Sequence, residues 1–441
     1  MKYNENRRAD NEFVKRKIVF TLFEAQAMRN IIFNNEGLLL KNLMHNFSVT
    51  VFTNKELSFL VLKLFRTLEI DNVDIKIIQK FHPNFVYKCL SVIARNMNVS
   101  TSNKWSRNRN YALGNFSLIG LIGRRIIYKL FAGSKFMHKI LRRFITRSCS
   151  INDLDLHNVL NQCEILVLTS ATNFVWDVPI GQIASRKNKF IISIPRSWDN
   201  FTSHGALRLN PDLVFSFSPV MTKHLVNYHF INEQNILEVS NPAYDNKKLI
   251  PLNNATIRSK RKKILYACMG SFLYEQESLF IKQLLTCVNE NGFELEILEH
   301  PKFKTQRVNN VEYKVIPYEK FSTDDLLQKY LSKFRLILTA GSSIALDCYN
   351  YNLNFMCTFV ESKPIKYWLS VKRYTDSVEH FSDFLITNRV KVLNDFDQVK
   401  VEIGNLNLKQ SQKPSTRAQS YSKSSKISDV LPAAIYRIID Q

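Results

Sequence analysis

The chain has 441 residues, of which 45% are hydrophobic and 12% aromatic, so it can form two domains of about 200 residues. Its formal net charge of +23 favours a polyanionic partner. The absence of a long apolar run argues against a membrane-spanning helix, and seven scattered cysteines without a C-x-x-C pair argue against a disulfide framework and a zinc site. The basic N-terminal stretch lacks a signal-type apolar core, so we expect a cytoplasmic protein.

Two segments have the pattern that opens an α/β unit. They begin at Lys15 and Arg261, and each combines a basic flank, a continuous apolar strand and an amphipathic helical stretch. The further predicted strands lie at 163–170, 189–195, 211–218, 293–301, 311–317, 335–343 and 354–361. Strands that alternate with helices in both halves predict an α/β fold of two doubly wound Rossmann-like domains facing a cleft.

Composition sets the predicted domain boundaries. Residues 240–256 are rich in Pro and Asn, which is typical of a hinge, and the polar stretch 407–426 predicts a flexible linker. We therefore expect an N-terminal domain at 1–245, a C-terminal domain at 257–405 and a C-terminal helix at 427–441.

A basic segment without acidic residues lies between Asp74 and Asp153 and holds fifteen Lys and Arg residues. Within its part 115–148, the basic residues from Arg124 to Arg147 fall in an arc of about 140° at helical spacing, opposite most of the apolar ones. This pattern predicts one amphipathic helix over 124–147. Such a helix suits an anionic membrane surface, and the alternative is a surface helix with a solvated basic face.

Three predicted strand ends in the second half carry residues suited to a phosphate group, because small-residue turns expose backbone N–H groups and serine hydroxyls add donors. Taken singly, each is more typical of a serine N-cap or a loop histidine. Their joint position at one edge of one predicted sheet favours a site for a nucleotide diphosphate. No G-x-G-x-x-G or P-loop motif is present, so neither a dehydrogenase nor a nucleotide triphosphatase is supported. The predicted donor-binding residues are Gly270, Ser271, His300, Gly341, Ser342, Ser343 and Asp347.

Four stretches of the chain form a recognisable pattern. They are SWDNFTSHG (197–205), NPDLVFSFSP (210–219), SNPAYD (240–245) and GSSIALD (341–347). This succession resembles bacterial GT-B-type glycosyltransferases and CDP-glycerol glycerophosphotransferase-like proteins of surface polysaccharide synthesis. The resemblance covers about residues 160–365. It implies that the first domain holds the acceptor and the second domain holds a nucleotide-activated donor.

The resemblance also implies roles for the loop at the carboxyl edge of the first sheet, across the cleft from Ser342 and His300. Asp199 is then the candidate general base for an acceptor hydroxyl, and Trp198 is a stacking surface for a sugar. The other predicted acceptor-binding residues are Asn200, Ser203 and His204. The alternative is that Asp199, Asn200 and Ser203 form Asx-type turns that hold the loop.

The leading hypothesis is a glycosyltransferase that moves a sugar from a nucleotide-sugar donor to a glycan or lipid-linked acceptor. We expect this enzyme at the cytoplasmic face of the inner membrane. We expect no metal, because no D-x-D-like pair lies at a strand end, and no cofactor beyond the donor. A glycerophosphotransferase or a sugar-nucleotide epimerase of the same fold is the alternative. A nucleic-acid-binding protein is a second alternative, although the basic residues are not interleaved with a stacking platform.

Overall fold

The structure is a computed structural model, and it describes residues 15–24, 27–28, 32, 37–242, 261–270, 273–300, 314–317, 324–408 and 425–439. The described strands form two sheets, and each sheet with its covering helices is one domain, called here the first and the second domain. Most of the predicted hinge at 240–256 and of the predicted linker at 407–426 lies outside these ranges.

The first sheet has the strand order β3-β2-β1-β4-β5-β6-β7, and every neighbouring pair is parallel. Its strands are β1 (Arg16–Leu22), β2 (Phe47–Thr53), β3 (Asp74–Ile77), β4 (Ile165–Leu168), β5 (Phe190–Ser193), β6 (Leu213–Ser216) and β7 (Ile236–Glu238). The order reverses once, between β1 and β4. Ligands of doubly wound domains bind beyond the carboxyl ends of the strands at such a reversal.

The second sheet has the order β10-β9-β8-β11-β12-β13 and is also parallel throughout. Its strands are β8 (Lys263–Ala267), β9 (Glu294–Leu298), β10 (Lys314–Ile316), β11 (Leu336–Thr339), β12 (Phe355–Thr358) and β13 (Val392–Leu393). The order reverses between β8 and β11. The predicted fold class, α/β with two doubly wound Rossmann-like domains of the GT-B type, is therefore confirmed.

Helices cover both faces of each sheet. In the first domain they are α1 (Leu38–Met44), α2 (Lys55–Thr67), α3 (Phe85–Asn96), α4 (Thr101–Ala112), α5 (Leu118–Phe131), α6 (Lys135–Ser148), α7 (Leu154–Gln162), α8 (Asp177–Arg186), α9 (Asn200–Ser203) and α10 (Pro219–His229). In the second domain they are α11 (Glu277–Glu290), α12 (Asp324–Leu331), α13 (Ile344–Asn350), α14 (Val371–Ser377), α15 (Glu379–Thr387) and α16 (Phe396–Leu408), and α17 (Ile427–Ile439) ends the described chain.

Polar caps determine where the helices of the first domain begin. Each helix from α2 to α7 follows an Asn, Ser or Asp whose side chain accepts a hydrogen bond from the third residue of the helix. This bond satisfies one of the backbone N–H groups that a helix leaves unpaired at its start.

Alternate residues of β1 enter different cores. In β1, Ile18, Phe20 and Leu22 pack into the core on one side of the sheet, whereas Val19 packs into the core on the other. Helix α17 returns from the second domain to the first, where Leu431 and Ile435 are buried in the same core as Ile18. The C-terminal helix is therefore part of the apolar core of the first domain.

The prediction of one amphipathic helix over 124–147 is wrong. The segment forms two helices, α5 and α6, which are separated at Gly133 with a φ of 82°. Gly ends a helix readily in this left-handed conformation, and Ser134 caps the next one by accepting a bond from Met137 N. A helical periodicity that runs through a Gly-Ser pair therefore overstates the length of the helix.

Arg142 does not belong to an exposed basic face, as the predicted arc required. It is buried in α6 and donates hydrogen bonds to Leu207 O at 3.1 Å, to Asn210 Oδ1 at 3.1 Å and to His229 O. These acceptors satisfy the guanidinium group, so Arg142 holds the first domain together. Among the described residues, no helix is long and apolar enough to cross a membrane.

Asp177 is a buried carboxyl group in the first turn of α8. Thr21 at the end of β1 donates a hydrogen bond to Asp177 Oδ1, and Oδ2 has no partner among the described residues. Burial raises the pKa of Asp177 to about 7, with the Thr21 hydrogen bond opposing and the charge of Glu24 adding to the increase. The folded chain therefore binds a proton here that the unfolded chain releases at lower pH.

We predict that the native chain loses stability relative to Asp177→Asn as the pH rises from about 4 to about 7, because only the folded state holds the proton in this range. The difference in the free energy of unfolding should change by about 1.4 kcal/mol for each unit of pKa difference. Urea unfolding between pH 4 and pH 8 measures it. The exposed Asp155→Asn is the control, and parallel pH profiles for native and Asp177→Asn would contradict the prediction.

Candidate functional site

The second domain collects the predicted donor residues at one edge of its sheet. Gly270 follows β8 and Gly341 follows β11, the two neighbouring strands at the reversal of strand order, and His300 follows β9. Ser271 lies outside the described residues. Because parallel strands end at the same edge, the three segments meet where a doubly wound domain binds its ligand.

The turn after β8 already holds a carboxylate. Glu277, fully buried in the first turn of α11, accepts hydrogen bonds from Met269 N at 2.6 Å and Gly270 N at 2.9 Å. The Tyr266 hydroxyl donates to the same carboxylate at 3.0 Å. The backbone N–H of Gly270 is thus occupied by Glu277 in this arrangement, and the turn is held rigid by an internal anion.

The turn Gly341-Ser342-Ser343 leads from β11 into α13. Gly341 has a φ of 94°, and a Cβ placed on it would lie 2.8 Å from Cε1 of Tyr374. Only glycine fits here, because the Tyr374 ring lies directly against the backbone. Ser342 Oγ accepts a bond from Ile344 N at 3.4 Å, and Ser343 makes no side-chain cap. Asp347 lies buried one turn into α13.

The loop of the first domain that carries Asp199 is built by Asn200. This buried side chain accepts hydrogen bonds from Arg196 N at 2.8 Å and Ser197 N at 3.1 Å, and it donates to Ser197 Oγ at 3.0 Å. Asn200 therefore holds the loop rather than presenting its amide to a ligand. The partly buried Ser203 donates its backbone N–H to Asp199 O at 3.1 Å, closing one helical turn.

Gly205 lets the same loop lie directly on α3. Its φ is 81°, and a Cβ placed on it would lie 2.5 Å from the Cα of Arg95. Asn98 donates to Phe201 O at 3.1 Å and to Gly205 O at 3.2 Å. The Gly at the end of SWDNFTSHG is thus required by contact between two backbones.

Trp198 packs against the second domain. Its ring meets His380, Phe381 and Phe384 of α15 edge to face, with centroid distances of 4.9, 5.8 and 5.7 Å. Thr202 Oγ1 lies 2.8 Å from His380 Nδ1 in the same contact, and burial lowers the pKa of His380 to about 4. Trp198 therefore joins the two domains, a role that the predicted sugar-stacking surface did not include.

The N-termini of α4 and α15 cap each other across the domains. Glu379 accepts a hydrogen bond from Thr101 N at 2.6 Å, and Ser102 Oγ accepts one from Glu379 N at 2.9 Å. Thr101 Oγ1 also donates to Ser377 O at 2.8 Å. Each helix thus supplies the acceptor that the start of the other requires.

Asp199 and His204 form a pair at this interface. The Asp199 carboxylate accepts a hydrogen bond from Ser197 Oγ, and its Oδ2 lies 3.7 Å from Nε2 of His204. Burial raises the pKa of Asp199, but the close approach and charge of His204, with the charge of His380 and the Ser197 hydrogen bond, lower it more, to well below its usual range. A carboxylate so stabilised is a weak proton acceptor and a strong partner for an imidazole.

Tyr374 connects the two predicted halves of the site. Its ring covers Gly341, and it packs edge to face on Trp105 of α4 with a centroid distance of 5.3 Å. Burial raises the pKa of Tyr374, and the charge of Asp199 raises it further, which reflects the closeness of the two side chains. Tyr374 therefore packs on the Gly341 turn and lies within range of the charge of Asp199.

The reversal point of the first sheet carries a polar group that the sequence analysis missed. Arg196 forms an ion pair with Glu24 after β1, and Glu24 accepts a hydrogen bond from Asn173 at 2.9 Å. Asp177 lies beside them, and its pKa is raised partly by the charge of Glu24. The signal that could have identified Asp177 is an acid in the first turn of a largely buried helix that follows a buried strand. No group of three His, Cys, Asp or Glu side chains within the described ranges could hold a metal ion.

No protein-family model and no curated protein sequence matches the chain. Similar solved structures include a putative UDP-N-acetylglucosamine 2-epimerase from Listeria monocytogenes, with 11% identity and a TM-score of 0.43 over 96% of each chain. Arabidopsis thaliana UGT89C1 complexed with UDP has 11% identity and a TM-score of 0.45 over 96% of this chain and 100% of its own. The wall teichoic acid polymerase TagF has 12% identity and a TM-score of 0.41 over 66% of this chain and 77% of its own. These distant likenesses carry no conclusion about activity, which has to rest on the site.

Proposed function

We propose that the chain is a glycosyltransferase that moves a sugar from a nucleotide-sugar donor, held by the second domain, to an acceptor held by the first. The observation that carries the proposal is that Tyr374, which covers the Gly341 turn, also lies within range of the charge of Asp199 in the Asp199–His204 pair. A candidate base on one domain then lies near a candidate phosphate-binding turn on the other. A transfer between two bound substrates needs this juxtaposition.

In the proposed reaction His204 accepts the proton of the acceptor hydroxyl, and the ionised Asp199 orients the imidazole and stabilises its protonated form. The His204 side chain is 32% exposed, and its Nε2 faces Asp199, which leaves the other ring nitrogen for the acceptor. The acceptor oxygen bonds to the anomeric carbon of the sugar as that carbon's bond to the phosphate oxygen breaks. The nucleotide diphosphate leaves with the electron pair.

The donor's diphosphate is proposed to bind at the edge formed by Gly270, His300 and the Gly341-Ser342-Ser343 turn. The support is their common position at the reversal between β8 and β11. Since Gly270 N–H is bonded to Glu277, the hydroxyls of Ser342 and Ser343 and the imidazole of His300 are the proposed donors to the phosphates. Ser271 and Asp347 remain predictions for the same site.

The acceptor is proposed to be lipid-linked, because α5 presents an apolar stripe to solvent. Ile119 is 82% exposed, and Ile122, Ile126 and Leu130 continue the stripe along the helix. Arg124, Arg125 and Lys129 lie on the same helix. An exposed apolar stripe beside basic residues matches an anionic membrane surface, where lipid-linked acceptors reside.

We predict that one class of nucleotide-linked sugar, among UDP-, GDP- and CDP-linked compounds, raises the melting temperature of the chain, because it binds only the folded state. In the double variant Ser342→Ala, Ser343→Ala, the affinity should fall by about 1 to 3 kcal/mol through loss of hydrogen bonds to a charged group. Calorimetry measures the loss, and Ser332→Ala, on another surface of the second domain, is the control. Equal affinity in the folded double variant would remove these serines from the site.

We predict that the native chain sediments with anionic vesicles and much less with neutral ones, and that high salt releases it. Replacing Ile119, Ile122 and Ile126 by Ser should weaken this binding by at least about 10-fold, since burial of each apolar side chain contributes about 1.5 to 3 kcal/mol. The control is Phe59→Ser, an exposed apolar residue of α2, which packs on the opposite face of the first sheet. Unchanged sedimentation of the triple variant would contradict attachment through α5.

A further inference from the structure

Three arginines of α4 and α5 form a cationic cluster in which one guanidinium is buried with two unpaired nitrogen atoms. Arg107 is 8% exposed, and its Nε and Nη1 have no hydrogen-bond partner within the ranges that the structure describes. Its Cζ lies 4.8 Å from the ring centroid of Tyr128. Burial lowers the pKa of Arg107, Tyr128 opposes this, and the charges of Arg125 and Arg124 lower it further.

A buried arginine of α6 is satisfied. Arg142 is equally buried, but three oxygen atoms accept its hydrogen bonds. A buried charge without such partners costs free energy, so a folded protein retains one where a ligand or ion completes it. The described residues supply no such partner to Nε and Nη1 of Arg107. This arginine lies in the segment between Asp74 and Asp153, which contains no acidic residue.

The other two arginines are held in place by uncharged groups. Arg125 Nη2 donates to Asn108 Oδ1 at 3.0 Å, and Arg124 lies over the ring of Phe116, with its Cζ 4.6 Å from the centroid. None of the three arginines forms an ion pair with a carboxylate among the described residues. The arginine side chains of the cluster are therefore held in position, but their positive charge is not neutralised by a carboxylate of the described residues.

We propose that Arg107, Arg124 and Arg125 bind the phosphate or diphosphate group of the lipid that carries the acceptor, an inference that rests on the proposed function. Guanidinium groups bind phosphate oxygens through paired, charge-assisted hydrogen bonds. Arg124 and Arg125 belong to the helix whose exposed Ile119, Ile122 and Ile126 form the apolar stripe. A phosphate bound by these arginines would lie on the helix that carries that stripe, which suits a headgroup whose chain remains in the membrane.

Inorganic pyrophosphate is the first probe. It should raise the melting temperature of the native chain and of the control Lys129→Gln, an exposed residue of α5, and the increase should be absent in Arg107→Gln. Without pyrophosphate, Arg107→Gln should melt close to the native chain, because the charge that it removes loses only its contact with the Tyr128 ring. An equal increase in Arg107→Gln, or no increase in the native chain, would overturn the proposal.

Vesicles then distinguish a lipid from a soluble source of phosphate. At matched surface charge, the native chain should bind phosphatidic acid vesicles about 10-fold more tightly than phosphatidylserine vesicles, and Arg107→Gln should lose this preference while keeping basal binding. Equal binding of both vesicle types by the native chain would overturn the lipid assignment. Pyrophosphate should still stabilise the Ser342→Ala, Ser343→Ala variant, and the nucleotide-linked sugar should still stabilise Arg107→Gln. The two results together separate an error in the proposed arginine cluster from an error in the proposed donor site.

Discussion

The contact between the Asp199 loop and helix α15 is the constraint on which the candidate site depends. Trp198 packs on His380, Phe381 and Phe384, and the starts of α4 and α15 cap each other through Thr101 and Glu379. These contacts join parts of the chain separated by more than 170 residues. They fix the distance between the two domains at the point where a transfer reaction would take place.

The same contact sets the electrostatics of the site. The loop is folded tightly by Asn200 and lies on α3 at Gly205, so Asp199 is held beside His204. Its pKa is low because neighbouring side chains favour its charged form more than burial opposes it. This is why we assign the proton transfer to His204 and the orienting role to Asp199, although the resemblance implied that Asp199 itself was the base.

Much of the fold followed from the sequence, because apolar runs of buried parallel strands are a strong local signal. Nine predicted strands each contain an observed strand, from β1 to β12. The pattern missed β2, and it missed β3, β7 and β13, which are short strands of four residues or fewer at or near the sheet edges. Short edge strands carry little apolar periodicity, so single-sequence analysis detects them poorly.

The site was less predictable, because its contacts are between distant parts of the chain. The sequence located the loop at 196–204 and the Gly341 turn, and strand order brought the donor residues to one edge. It did not indicate that Trp198 binds α15, that Glu277 occupies the turn at Gly270, or that Tyr374 covers Gly341. The sequence pattern also placed Arg142 on an exposed face, because periodicity cannot distinguish a buried arginine with hydrogen-bond acceptors from a solvated one.

The most direct test of the account is the slow hydrolysis of the bound nucleotide sugar, in which water takes the place of the acceptor. Release of nucleotide diphosphate under single-turnover conditions should fall by about two to four orders of magnitude in His204→Gln and in Asp199→Asn, while both variants keep their affinity for the donor. His45→Gln, at an exposed position after α1, should hydrolyse the donor at the native rate. Native rates in His204→Gln and Asp199→Asn, or release of an epimerised nucleotide sugar in place of nucleotide diphosphate, would contradict a transfer site built around Tyr374.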